Sequence, residues 1–299
     1  MDARRQSYIC HVIDIRKEIS DSLKKLGKYV VFLFLSAFFT SLWIGQLRYQ
    51  SEGSRLSSDI LSSDAFRRQK ISEDVMDVIC DMDQPGSMLA VYWLESDFGQ
   101  EPGPASEEEI LSARKRWERA KGWGAYLSAC QAVWDDLQYF PVAESTDDSR
   151  LSVSYEDSWM FDRSYGGERG HEGTDVMPSV DERGLFPVVS MTDGVVENKG
   201  WLELGGYRLG IRGPHGAYFY YAHLDSYADI EEGDQVKAGD LLGFMGDSGY
   251  GKEEGTKGKF PVHLHMGIYL YENGEEISIN PYPALKYVEE HTVSTFKGQ

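Results

Sequence analysis

The sequence predicts an α+β protein: an N-terminal transmembrane helix, a small helical region and a C-terminal domain built on an antiparallel β-sheet. Three observations carry that expectation. Residues 29–47, YVVFLFLSAFFTSLWIGQL, run without a charge between Lys28 and Arg48. The block 71–142 has apolar residues at helical spacing. Beyond residue 150, short apolar runs alternate with glycine-rich turn signals.

The first element is long enough, as a helix, to cross about 30 Å of hydrocarbon. Tyr29 and Trp43 suit the two interfaces. Residues 1–28 hold seven Lys/Arg against four Asp/Glu, which places this tail in the cytoplasm. No small-residue cleavage site follows the apolar run. An uncleaved signal anchor is therefore expected, with a single pass and residues 48–299 outside the cytoplasm.

Residues 48–70 are polar and serine-rich and read as a partly helical stalk. In the helical block, ISEDVMDVICDM, SMLAVYWL and YLSACQAVWDDLQYF are amphipathic candidates. SEEEILSARKRWERA opens with a capping box, Ser106 and Glu109. Residues 143–150, AESTDDSR, read as a linker, 151–290 as the β domain and 291–299 as a tail. The β domain's runs are LFPVVSM, YRLGIR, AYFYYAHL, DLLGFMG and FPVHLHMGIYL, separated by turns such as NKG, GPHG and DSGYG.

The net charge of −19 excludes a nucleic-acid partner, because a phosphate backbone calls for a basic surface. It also argues against a general binder of anionic surfaces. The three cysteines, Cys10, Cys80 and Cys130, form no CxxC pair, so a thiolate zinc site is not expected. Cys80 and Cys130 are either a disulfide in an oxidising compartment or two buried free thiols.

The chemistry-bearing residues cluster in the β domain. In a strand, His263 and His265 point to one face and Leu264 to the other. Two imidazoles on one face of an apolar run cost free energy unless something satisfies them. His171 and Asp175 lie four apart in RGHEGTD, and His223 sits near the end of an apolar strand. A hydrolytic zinc takes three His/Asp/Glu ligands and leaves one position for water. His171, Asp175 and one of the strand pair supply that set. The other two histidines are then free for proton transfer and charge stabilisation.

This region resembles the lysostaphin-type, LytM-like zinc peptidases. HEGTD is similar to the family's H-x-G-x-D motif, and TDGVVENKGW to its strand-turn segment. YFYYAHLDS followed by EEGDQVKAGDLLGFMGDSG resembles its Y-x-H-L and glycine-rich run, HLHMGI its H-x-H strand, and INPYP its closing Asn-Pro. The resemblance covers about residues 160–285, with the motifs in the family's order. It implies that one Zn²⁺ is held by His171, Asp175 and His265, that His223 and His263 are the catalytic histidines, and that Tyr165 helps to stabilise the transition state. It further implies a bacterial hydrolase acting on the stem or cross-bridge peptides of peptidoglycan, which the apolar run 29–47 would anchor in the membrane; the sequence names no protein regulator. YGKEEGTKGKFPV, between Gly249 and His263, is longer than the family's usual loop and should form part of the rim of the site.

Two other readings stay beside this one. The first is a wall-binding scaffold that keeps the fold without activity. The second is a bifunctional wall hydrolase, because LAVYWLESDFG faintly resembles a transglycosylase segment with Glu95 as the acid. The commoner reading of that stretch is a buried helix end. His215 reads as a turn residue, and His11 and His291 have no expected role.

Overall fold

The computed structural model describes residues 16, 22–44, 56–104, 106–165 and 167–294. Cys10, His11, most of the predicted cytoplasmic tail, residues 45–47 of the predicted span and residues 48–55 of the predicted stalk lie outside them. The chain divides into two compact units, 1–55 and 56–299. In the first, α1 (Ser22–Ile44) is a 23-residue helix of mean hydropathy 1.6, long and apolar enough to cross a membrane. Its start precedes the charge-free run because Lys24, Lys25 and Lys28 are compatible with helix even though they are not compatible with hydrocarbon.

The second unit opens with five helices: α2 (Asp64–Arg67), α3 (Glu73–Ile79), α4 (Gly86–Glu95), α5 (Glu107–Trp117) and α6 (Trp123–Trp134). Ser63 caps α2 by accepting from the Phe66 amide. The Ser106–Glu109 capping box expected from sequence starts α5, each side chain taking the other residue's amide. Asp135, just past α6, accepts from the Gly86 amide at 2.7 Å and so satisfies the start of α4. Trp93 and Trp134 pack ring against ring under these helices, and Trp134 donates to Gln69 Oε1 at 2.8 Å.

The strands follow: β1 (Val153–Tyr155), β2 (Asp162–Arg163), β3 (Arg169–Gly170), β4 (Thr174–Pro178), β5 (Pro187–Val189), β6 (Gly194–Leu202), β7 (Gly206–Arg212), β8 (Tyr218–Tyr227), β9 (Gln235–Val236), β10 (Leu241–Met245), β11 (Leu264–Glu272) and β12 (Glu275–Ile279), then the short α7 (Tyr282–Tyr287). Ten of them form one sheet whose main path runs β1-β4-β11-β8-β7-β6-β9, and β2 and β3 form a separate hairpin. Their pairings are antiparallel, as the turn-rich sequence predicts.

Strand alternation gives the sheet two unlike faces. From β11, Leu264, Met266, Ile268 and Leu270 are buried in the core, while His265, Gly267, Tyr269 and Tyr271 alternate with them on the other face. From β8, Phe219 and Tyr221 enter the core, and Tyr218, Tyr220 and Ala222 oppose them. The core face meets the helices, and one hydrophobic cluster includes residues of both. Burying such a face supplies about 25 cal/mol per Å² of apolar area, so neither layer is complete without the other.

Three sequence-based boundaries change here. Residues 56–70 do not form a free stalk, since Leu56, Leu61 and Phe66 are buried in the shared core. The serines and charges around them hid these few apolar residues. Residues 143–150 do not form a loose linker: the Ala143 amide donates to Pro187 O and that of Glu144 to Val293 O. The last of those contacts also ties down part of the predicted tail, whose residues 295–299 lie outside the described residues. Cys80 and Cys130 are both free, Cys130 buried but Cys80 exposed, so the pair is neither a disulfide nor two buried thiols.

Candidate metal centre and its histidine pair

Three ligand atoms converge where β4 and β11 run side by side. His265 pairs with Asp175 across these strands, so the register places the two side chains together. His171 enters from the loop that follows the β2–β3 hairpin. His171 Nε2 lies 3.1 Å from Asp175 Oδ1 and 3.0 Å from His265 Nδ1, and His265 Nδ1 lies 3.0 Å from Asp175 Oδ1. Ligand atoms on a tetrahedral zinc at about 2.0–2.1 Å stand about 3.3–3.4 Å apart, so this triangle needs only a slight opening to hold the ion.

The second contacts of each ligand fix its orientation. His171 is buried, and its Nδ1 lies 3.2 Å from Ser158 O and 3.1 Å from Ser158 Oγ. A carbonyl can only accept, so Nδ1 carries the proton and Nε2 presents a lone pair to the metal position. Asp175 uses Oδ1 in the triangle while Oδ2 accepts from Arg163 Nη2 at 2.6 Å. Burial raises the pKa of Asp175, but the neighbouring imidazoles of His171 and His265 outweigh it and hold the carboxyl well below the usual carboxylate range. Burial lowers the pKa of His265, against the pull of Asp175, and so favours the neutral ring that a metal requires.

The glycine of H-x-G-x-D has a steric role. A Cβ on Gly173 would stand 2.6 Å from His265 Nε2 and 2.7 Å from Met266 O, and closer still to His265 Cε1. Gly173→Ala is therefore expected to push the His265 ring off the triangle and weaken zinc binding roughly 10- to 100-fold, the scale of orienting contacts around a metal. Competition with a chromophoric chelator reads this directly; unchanged affinity would show that the ring does not need that space.

The other two expected histidines face the same cavity. His263 Nε2 is 3.8 Å from Asp175 Oδ1. The ring of His223 lies 4.7 Å, centre to centre, from that of His263 and 5.9 Å from that of His265. His223 Nδ1 donates to Ser248 O and His263 Nδ1 to Pro261 O, both at 2.8 Å. Each carbonyl holds the proton on Nδ1, so the neutral form of either ring presents Nε2 as its acceptor. Burial, then the neighbouring histidines, hold the pKa of His223 well below its ordinary value, so it stays neutral and able to accept a proton.

His223 arrives by a device that alternation does not predict. Strict alternation after Phe219 and Tyr221 would send it into the core. Instead the β7–β8 register slips between Tyr207↔Leu224 and Leu209↔Tyr221, so β8 carries one extra residue there. His223 takes up that residue in the left-handed region, with φ 63°, and its ring swings to the metal face.

The cavity around these groups has a volume of about 790 Å³. The long 250–262 loop lends its rim Tyr250, Phe260 and Pro261, as expected. It is pinned by Gly258 N donating to Asp247 Oδ2 and by the Lys257–Asp225 ion pair. Tyr165 is stacked on Tyr250 at 4.2 Å, and its hydroxyl donates to Tyr250 O at 2.6 Å. It thus braces the rim, with its hydroxyl turned to a backbone carbonyl.

His215 lies in a turn, held by Asp136 at 2.6 Å, and the His291 carbonyl accepts from the Phe140 amide. Glu95 ends α4, with its carboxylate engaged by Arg116 at 2.8 Å and by Trp117 Nε1 at 2.6 Å, away from the cavity. That is the buried-helix-end reading; a free catalytic acid would not be tied down in this way. Ser158 and Arg163 were missed, because an isolated serine and an arginine carry no spacing signal.

Residues 51–136 match the model of the LytM N-terminal domain and residues 169–281 that of peptidase family M23. A crystal structure from Ruminococcus gnavus, named for a LytM glycyl-glycine endopeptidase, superposes with a TM-score of 0.76 at 53% identity, covering 81% of this chain and 96% of that one. The L-Ala--D-Glu endopeptidase of Bacillus subtilis is 44% identical over 143 residues, 48% of this chain. The glycyl-glycine endopeptidase ALE-1 of Staphylococcus capitis is 28% identical over 141 residues, 43% of this chain. These matches span 42% and 35% of the two curated relatives. With its fold, its motif order and a relative matched over nearly its whole length, the chain belongs to peptidase family M23 and carries a LytM-type N-terminal domain.

Proposed function

We propose that this chain is a zinc endopeptidase, anchored in a bacterial membrane by residues 29–47, that hydrolyses peptide bonds of peptidoglycan outside the cytoplasm. The supporting observation is the triangle of His171 Nε2, Asp175 Oδ1 and His265 Nδ1 beside two histidines with free Nε2 atoms. Zinc in such a site acidifies water and polarises a carbonyl.

The chain's own residues would do the rest. His263 or His223, neutral at Nε2, takes the proton from water and returns it to the leaving amine. The other histidine steadies the developing oxyanion. Tyr165, proposed for the same oxyanion, would first have to release Tyr250 O. Asp175, kept ionised, leaves a net positive charge on the loaded site. Helices α2–α6 share the core on the opposite face of the sheet and back the site from behind.

The wall-scaffold reading makes the opposite prediction in one assay. The full chain in detergent should release soluble peptides with new amino termini from purified peptidoglycan, and lose at least about 10³-fold in rate when a chelator strips the metal. Readded zinc should restore it. No release by zinc-replete protein would favour the scaffold, and undiminished release under chelation would overturn the metal mechanism.

A further inference from the structure

The cavity continues from the metal triad along the polar face of the sheet. Its floor there is built from Tyr218 and Tyr220 on β8 and Tyr269 and Tyr271 on β11. Glycine makes this possible: the site of a Cβ on Gly210 is occupied by the Tyr218 ring, which lies flat across β7. Two arginines on β7, Arg208 and Arg212, share this face two residues on either side of Gly210.

The two arginines are in opposite situations. Arg212 is neutralised: it grips Glu197 through two nitrogens, donates to Gly216 O, and lies over the rings of Tyr218 and Tyr271. Arg208 makes no ion pair among the described residues, and its Nη1 is buried without a hydrogen-bond partner. The cavity's other charges do not answer it. Asp175 is taken by Arg163, Glu276 accepts from Tyr271, and Glu203 makes no ion pair with it. In a chain of net charge −19, acids are plentiful. A half-sunk guanidinium left without one is costly in the absence of a ligand.

We infer that Arg208 is a carboxylate subsite, recognising a free carboxylate on the substrate residue next to the scissile bond. The inference rests on the peptidase reading above and narrows its substrate class to acidic peptides. The geometry sets the distance. Tyr220 sits between, pairing with Gly267 on one side and Gly210 on the other, its ring 6.1 Å from that of His265. Arg208 is thus two strands from His265, on the order of 10 Å across the sheet. An extended peptide advances about 3.3–3.6 Å per residue, so a group on the neighbouring residue falls within that reach. A planar guanidinium suits a carboxylate, which it can grip with two parallel bonds. A glycyl-glycine bond offers no carboxylate there; an alanyl bond to a γ-linked glutamate does.

Three peptides test this with the full chain in detergent: an L-Ala-γ-D-Glu-L-Lys peptide, the same peptide with its glutamate α-carboxylate amidated, and pentaglycine. The wild type should prefer the free acid to the amide about 10- to 100-fold in kcat/KM, the worth of a charge-assisted hydrogen bond. Arg208→Gln should bring that ratio within about 3-fold while zinc content stays unchanged, and Arg208→Lys should keep part of it. A ratio that survives Arg208→Gln, or a wild type indifferent to the carboxylate, overturns the subsite. If the wild type cleaves none of the three, the peptidase reading is at fault, and calorimetric binding of the same acid–amide pair to the zinc-loaded chain decides. Tighter binding of the acid that Arg208→Gln abolishes supports the subsite; equal binding ends it.

Discussion

His265→Ala should leave the chain with little bound zinc and reduce peptide hydrolysis by at least about 10³-fold, at or below the detection limit of most assays. The expectation follows from the arrangement of donors. Only three side chains among the described residues form the group, and each of their atoms lies 3.0–3.1 Å from the other two. Losing one leaves His171 and Asp175, with Arg163 still bonded to Oδ2. A neighbouring guanidinium is then the carboxylate's best remaining partner, so the pair collapses onto it and does not reach for a cation. Elemental analysis of dialysed protein and kcat/KM on one peptide measure both effects. Protein that keeps a full zinc complement and full activity would show that the catalytic metal lies elsewhere. The variant should stay folded, because His265 lies on the polar face of β11 and the core side chains Leu264 and Met266 are untouched.

The second large effect separates proton transfer from metal binding. His263→Ala and His223→Asn should each retain zinc yet lose about 10²- to 10⁴-fold in kcat, the range of general acid–base catalysis. Neither ring joins the triangle of ligand atoms; each spends Nδ1 on a carbonyl and offers Nε2 to the cavity. Asparagine is chosen at 223 because the backbone there has φ 63°, a conformation asparagine tolerates better than alanine. A loss confined to zinc binding in either variant would reassign that histidine from chemistry to coordination. Loss of structure in His223→Asn, seen as a lowered unfolding midpoint, would show the left-handed turn itself to be the fragile feature.

These expectations differ in how early they could be read. The alternation of β11 alone places His265 and Leu264 on opposite faces, and the motif spacing brings His171 and Asp175 into the same reading. The capping box on α5 and the antiparallel class were equally accessible, because each depends on residues close in sequence or on period-2 patterning. The polar stretches 56–70 and 143–150 conceal their packing for the converse reason. Leu56, Leu61 and Phe66 are a few apolar residues in a polar stretch, and only a surface distant in sequence gives them somewhere to go. Glu95 reads in sequence as a lone acid, yet its partners Arg116 and Trp117 stand on the next helix.

By itself, the sequence determined which residue types this protein could use and which faces of their strands they occupy, since the backbone's own geometry sets those periods. It determined that a metal site of two imidazoles and a carboxylate was available. The tertiary structure alone decided that His223 joins them, because one extra residue in β8, forced by pairing with β7, turns a side chain that alternation would bury. It also decided that Arg163 is spent on Asp175 while Arg208 is left unpaired, since a charge's partner is set by what strands far apart in the chain bring within reach.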